Sequence, residues 1–159
     1  MTIRYRPIGT IHTPFNSRAG MPIQPRSDTA ATGTVEVLPA YAEGLEDLEE
    51  FSHLILIYHF HRAGEVRLTV TPFLDDRPHG VFATRAPNRP NPIGLSIVQL
   101  VHREANILHV TNVDIVDGTP LLDIKPYVPA FDRPADVRSG WLEDNQKKVQ
   151  ETESDERFC

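Results

Sequence analysis

Residues 83–96, ATRAPNRPNPIGLS, place two arginines, two asparagines and three prolines in one short loop between apolar runs. Arg85 and Arg89 offer planar forks that match a carboxylate or a phosphate. Pro87, Pro90 and Pro92 restrict the loop before a ligand arrives, which lowers the ordering cost of binding. The reading is a pre-organised anion site, with Asn91 as a further polar contact; the alternative is a rigid corner carrying solvated arginines.

A second stretch, DIVDGTPLLDIKPY at residues 114–127, gathers Asp114, Asp117 and Asp123 near one turn, with Lys125 and Tyr127 beyond it. Asp117 and Gly118 form a tight-turn signal, and Gly118 can adopt a positive φ that brings backbone close to a ligand. An ordinary turn leading into a polar-edged strand accounts for the same residues. The third stretch, HFHRAG, sets His59 and His61 two apart, on one side of a strand. No third ligand has a suitable spacing and there is no cysteine pair, so no metal is expected. His12, His53, His79, His102 and His109 read as ordinary core or surface residues.

Signatures of the common nucleotide and hydrolase sites are missing: there is no GxGxxG, no GxxxxGK[ST] and no GxSxG. The 159 residues suffice for one core, and a formal net charge of −6 argues against a surface that is basic throughout. Cys159 stands alone, so no internal disulfide is available. Neither a charged leader with an apolar core nor a membrane-length apolar run is found, and the expected location is the cytoplasm.

The elements that must position these residues are short strands. Fourteen prolines interrupt helical periodicity. IRYRPIGTIHTPF reads as extended, GTVEVL alternates, HLILIYHF is an apolar run suited to a buried strand, and RLTVT and GVFAT continue the series. SIVQLVHR and ILHVTNVDIV flank EAN as a hairpin, with a phase slip that predicts a bulge near Thr111 and Asn112. AEGLEDLEEFS predicts two helical turns with Leu45 and Leu48 on one side. The expected fold is mainly β, a compact barrel of short strands with few short helices, over residues 1–140. Residues 141–159 form a polar tail with room for one short helix, anchored by Trp141 and Leu142.

Taken together, GVFATRAPNRPNPIGLS, GLEDLEEFSHLILIYHFH and VDIVDGTPLLDIKPY resemble the signature blocks of the TsaA-like family, also called TrmO, over residues 5–127. The resemblance implies a β-barrel that binds S-adenosyl-L-methionine without a Rossmann fold, dimerises, and methylates N6 of threonylcarbamoyladenosine beside the tRNA anticodon. Aligned block by block, the implied cofactor contacts fall on Gln24, Pro25 and Arg26, on His61 and Arg62, on Arg85 and Leu95, and on Asp117, Gly118, Thr119 and Pro120. Arg89, Asn91 and Lys125 are the candidates for substrate contact. S-adenosylmethionine carries a carboxylate, an ammonium and a sulfonium, so Arg85 beside Asp117 would satisfy both signs.

The acceptor nitrogen is conjugated to a carbonyl and a purine and must lose a proton during transfer, which calls for a general base. Asp114, Asp117 and Tyr127 are the candidates, and the sequence does not choose among them. Better known bacterial members continue into a further C-terminal region, whereas this chain ends soon after its core. A short form is expected either to grip tRNA by its dimer surface and basic loop or to act on something else. Methylation of a small molecule or a protein, or sensing of S-adenosylmethionine without catalysis, are the competing functions.

Overall fold

Alternation of large apolar and polar residues dictates where each strand turns its side chains, and in the computed structural model, which describes residues 1–19, 21 and 30–145, that alternation closes a barrel. Its strands are β1 (Gly9–His12), β2 (Thr32–Val37), β3 (His53–His59), β6 (Ile93–Glu104), β7 (Ile107–Thr111) and β8 (Thr119–Pro126). They run in the spatial order β1-β2-β7-β6-β3-β8, with every pairing antiparallel and β8 returning to β1. The mainly β barrel expected from the sequence is the fold.

Inward positions fill the barrel. Ile11, Val35, Leu54, Leu56, Val98, Leu108 and Leu121 are all fully buried, and burial of each such side chain stabilises by roughly 1.5–3 kcal/mol relative to exposure. Along β3 and β6 the inward pairs are Leu54 with Val98, Leu56 with Ser96, and Tyr58 with Gly94. The interior therefore changes from apolar to polar toward the end of β3. At that last pair, a Cβ on Gly94 would lie 2.2 Å from the Tyr58 ring, so the glycine makes room for the aromatic.

The opposite end is sealed by two 3₁₀ helices, Pro39–Leu45 and Leu48–Glu50, which bury Leu45 and Leu48 as the sequence pattern requires. Asp47 adopts φ 64° between them, and the predicted helical segment is split in two. The β6–β7 hairpin turns at Ala105 and Asn106, with Glu104 paired to Ile107. The predicted phase slip is present but has a different origin: Asn112, at φ 64°, ends β7 and turns Val113 and Ile115 inward. The bulge lies on the neighbouring strand at Val101, where β6 advances from Leu100 to His102 while β7 moves one residue, from Val110 to His109.

Between β3 and β6 the chain leaves the barrel as an arm, residues 60–92. Only Thr69–Val70 (β4) and His79–Gly80 (β5) pair there, followed by a 3₁₀ helix at Val81–Ala83. RLTVT and GVFAT thus contribute little strand. The arm has a small core of its own, in which Phe73 packs against Val70, Val81 and Ala86. Beyond β8 lie one helical turn, Pro129–Asp132, and a 3₁₀ helix, Gly140–Asn145.

Candidate active site

Where the barrel interior turns polar, the arm folds over it, and a cleft of about 840 Å³ opens between them. Its floor is a chain of hydrogen-bonding side chains that the strand register brings together. Tyr58 Oη lies 2.9 Å from Ser96 Oγ, and Ser96 Oγ donates to Asp114 Oδ1 at 2.6 Å. Tyr58 and Ser96 are buried; Asp114 keeps partial exposure to the cleft. Burial pushes the Asp114 carboxyl above the usual carboxylate range, opposed by the hydrogen bond from Ser96 and the charge of Arg85. Burial and the neighbouring Asp114 charge together push the Tyr58 phenol up, so Tyr58 stays protonated at neutral pH.

Thr119 forms a second buried polar point. Its Oγ1 donates to Val116 O at 2.6 Å and lies 3.3 Å from His61 Nδ1. Burial, then the charge of Arg62, hold His61 below the ordinary imidazole range. The chain turns directly after β3, with His61 N–H donating to His59 O, so His59 and His61 do not form the same-facing pair of a continued strand. Arg62 Nη1 donates to Asn16 O and ties the arm to the segment after β1.

The two loop arginines divide their work. Arg89 Nη1 donates to Thr84 O and to Ala86 O, both at 3.1 Å, and its guanidinium lies 6.0 Å above the Phe82 ring. It holds the loop in shape. Arg85 makes no hydrogen bond among the described residues, is exposed, and lines the cleft near enough to Asp114 to act on its charge. Pre-organisation is also visible at Asn88, buried in the loop, whose Nδ2 donates to Glu65 O at 3.0 Å.

The expected residues therefore sort by position. His61, Arg62, Arg85, Arg89, Leu95, Asp114 and Thr119 line the cleft. Asp117 stands behind it: its Oδ1 accepts from Thr13 N–H at 2.9 Å and lies 3.7 Å from His12 Nδ1. Gly118, at φ 75°, donates its N–H to Ile11 O and fixes the turn into β8. Pro120 is paired opposite Thr10, and Asn91 is exposed, its carbonyl accepting from Ile93 N–H. Lys125 lies near the end of β8 and Tyr127 just beyond it; Lys125 pairs with Asp123 at 2.8 Å and the Tyr127 ring meets His53 edge-on. Gln24, Pro25 and Arg26 fall outside the described residues.

Sequence reasoning passed over Tyr58, Ser96, Phe82 and the placement of Trp141. Trp141 stacks on His79 with ring centroids 4.7 Å apart, and its Nε1 donates to Ala83 O at 2.9 Å. His79 in turn meets Asp75 at 2.9 Å, a hydrogen bond that holds Asp75 below the usual carboxylate range. Phe82 stands 75% exposed beside the same rim. An aromatic just before the arginine loop was the available signal.

A cleft with apolar walls, exposed guanidinium groups at Arg62 and Arg85 and the partly exposed carboxyl of Asp114 suits a small amphiphilic ligand carrying both charge signs. Comparison with known proteins agrees in kind. The family model of the tRNA-methyltransferase O N-terminal domain matches residues 10–133. A probable S-adenosyl-L-methionine-binding protein of Pyrococcus abyssi is 58% identical, with 99% of this chain and 86% of that protein covered. The tRNA (adenine(37)-N6)-methyltransferase of Escherichia coli is 36% identical over 89% of this chain and 65% of its own length. The crystal structure of TrmO from Pseudomonas aeruginosa superposes with a TM-score of 0.75 at 45% identity, covering 89% of this chain and 63% of that one. The chain thus spans about two thirds of those two longer relatives.

Proposed function

This chain belongs to the tRNA-methyltransferase O family, and from that premise we propose that it methylates N6 of the adenosine beside the tRNA anticodon, using S-adenosyl-L-methionine, with threonylcarbamoyladenosine as the acceptor nucleoside. The observation that carries the reading is the Asp114 carboxyl on the cleft floor, hydrogen-bonded to Ser96, in the same cleft that the exposed Arg85 lines.

The residues present fit such a cofactor. Arg85 offers a fork for its carboxylate, Thr119 and His61 offer neutral polar contacts, and Leu95, Ile93 and Phe60 supply apolar wall for the thioether chain and adenine. Gln24, Pro25, Arg26, Arg62, Gly118 and Pro120 are further contacts expected from the family. His61, kept below its ordinary range, adds no positive charge near pH 7. Asp117 acts at one remove, fixing the segment after β1 through Thr13. When bound, the cofactor supplies an electrophilic methyl group.

Asp114 is the general base. The proton of the acceptor nitrogen passes to its carboxylate, and a pKa raised by burial brings that carboxylate nearer the working pH, where general bases are most effective. Ser96 holds the acceptor oxygen in place, and Tyr58 holds Ser96. Phe82 and Trp141 at the rim give planar surfaces on which unstacked bases can stack.

A homodimer is part of the reading. The outer face of β6 exposes Ile93, Leu95, Ile97 and Val101, each 41–58% accessible. Leu95 belongs both to this face and to the cleft, so a second copy seated there would complete the apolar wall. The working place is the cytoplasm; among the described residues no helix is long and apolar enough to cross a membrane.

The test is transfer of label from methyl-labelled S-adenosylmethionine to tRNA with and without the threonylcarbamoyl group, followed by digestion to nucleosides and mass spectrometry. Label confined to the modified adenosine is expected. Cofactor binding with no transfer to either tRNA overturns the acceptor assignment.

A further inference from the structure

The far end of the β6–β7 hairpin carries a second group of chemistry-bearing side chains. His102 and Glu104 are two apart on β6 and project to one side. His109 on β7 is the register partner of His102 because of the bulge at Val101; without it His109 would face Val101. Before the bulge, odd-numbered β6 residues such as Ile97 point outward, and after it His102 and Glu104 take that face. The bulge therefore collects three ligand-type residues on the barrel exterior. Arg103 braces the place from behind, Nε donating to Ala105 O at 2.8 Å and Nη1 to Leu45 O at 3.0 Å.

One ligand atom from each of His102, Glu104 and His109 lies within 4.8 Å of the other two. The two imidazoles stack with centroids 4.1 Å apart and planes 10° from parallel, and Glu104 Oε2 is 3.7 Å from His109 Nε2. That nitrogen is shielded from solvent and has no hydrogen-bond partner among the described residues. A shielded, unpartnered imidazole nitrogen with a carboxylate close by and a second imidazole stacked on its ring leaves room for an electrophile that all three could share.

We propose that His102, Glu104 and His109 form a binding site for a divalent first-row transition cation such as Zn²⁺ or Ni²⁺, with water completing the coordination. Two imidazoles and a carboxylate are a donor set these ions favour, at bond lengths of roughly 2.0–2.2 Å. The site is separate from the cleft: His102 lies seven positions along β6 from Leu95, roughly 23 Å at strand rise. Its effect is to clamp β6 to β7, independently of methyl transfer.

The full chain, stripped of metal by a chelator, is titrated with ZnCl₂ and with NiCl₂ by calorimetry and thermal unfolding, and with CoCl₂ by visible absorption. One saturable equivalent per chain, a midpoint raised by several degrees and cobalt d–d bands of a nitrogen and oxygen site are expected. His102→Gln and His109→Gln each weaken binding at least tenfold while the metal-free midpoint stays within about two degrees, and His59→Gln/His61→Gln binds as the parent does. Absence of saturable uptake overturns the site, as does uptake that survives both hairpin variants or is lost in the His59/His61 variant.

Discussion

The barrel and the arm that interrupts it each build one wall of the cleft, by different physics. The barrel side rests on a continuous core of fully buried Leu, Ile and Val side chains gathered from six strands. The arm has Val70, Val81 and Ala86 with Phe73, and otherwise relies on side chains bonded to backbone: Arg89 to Thr84 and Ala86, Asn88 to Glu65, Trp141 to Ala83. Apolar burial stabilises in proportion to area, whereas each hydrogen bond adds only about 0.5–1.5 kcal/mol net. The arm is therefore well shaped but weakly held, and it opens before the barrel does. The reacting groups are divided in the same way, with Asp114 tied to the barrel through Ser96 and Arg85 carried by the arm.

The strongest test of that division is Asp114→Asn. Methyl transfer to tRNA is expected to fall on the order of 10²–10⁴-fold. The stability sign is opposite. A carboxyl whose folded pKa is raised destabilises the fold progressively as pH rises from the ordinary carboxylate value through the raised one. Urea unfolding followed from pH 4 to 8 should thus show the variant losing less stability with rising pH than the parent, and in the parent activity rises over the range where Asp114 ionises. Full activity in the variant would remove the barrel from the chemistry.

Leu56→Ala comes next. The side chain is fully buried at the barrel centre, and its truncation should lower stability by about 2–5 kcal/mol. Denaturant curves read by Trp141 fluorescence and by far-ultraviolet circular dichroism should both shift to lower midpoint, because the arm cannot outlive the barrel. A shift confined to one probe breaks the comparison.

On the arm, Arg85→Ala is expected to weaken cofactor binding on the order of 10–100-fold, the worth of hydrogen bonds to a charged group, with the thermal midpoint unmoved. Calorimetric titration and thermal unfolding measure the two separately. Trp141→Ala should be smallest, about 1 kcal/mol, and local. Amide exchange accelerates across residues 79–92 but not in β3 or β6; uniform acceleration would show that arm and barrel open together.

How far the sequence foretold these features follows the same line. Period-two alternation marks β2, a dense apolar run marks β3, and the two arms around EAN mark β6 and β7; the EAN turn falls within a residue of where the chain reverses. The arm was illegible: its two strands are two residues long, too short for a period. Arg85 and Arg89 look alike in one proline-rich loop, and only the carbonyls of Thr84 and Ala86 distinguish the one that braces from the one that faces the cleft. Tyr58, Ser96 and Asp114 are 38 and 18 residues apart in successive pairs and meet only through strand register. Tyr127 read as reachable because its motif neighbours are, yet β8 carries it away from Thr119. The hairpin histidines were unremarkable until a one-residue bulge changed their face.

Closure of the barrel has a consequence for the history of the chain. Ile11 pairs with Thr119, and the bond from Thr13 to Asp117 spans 104 residues. During synthesis β1 must wait, with an unpaired edge, until β8 has been made. Folding gated by so distant a contact belongs to the slow range of single domains, milliseconds to seconds, so the nascent chain depends on whatever shields that first strand in the meantime.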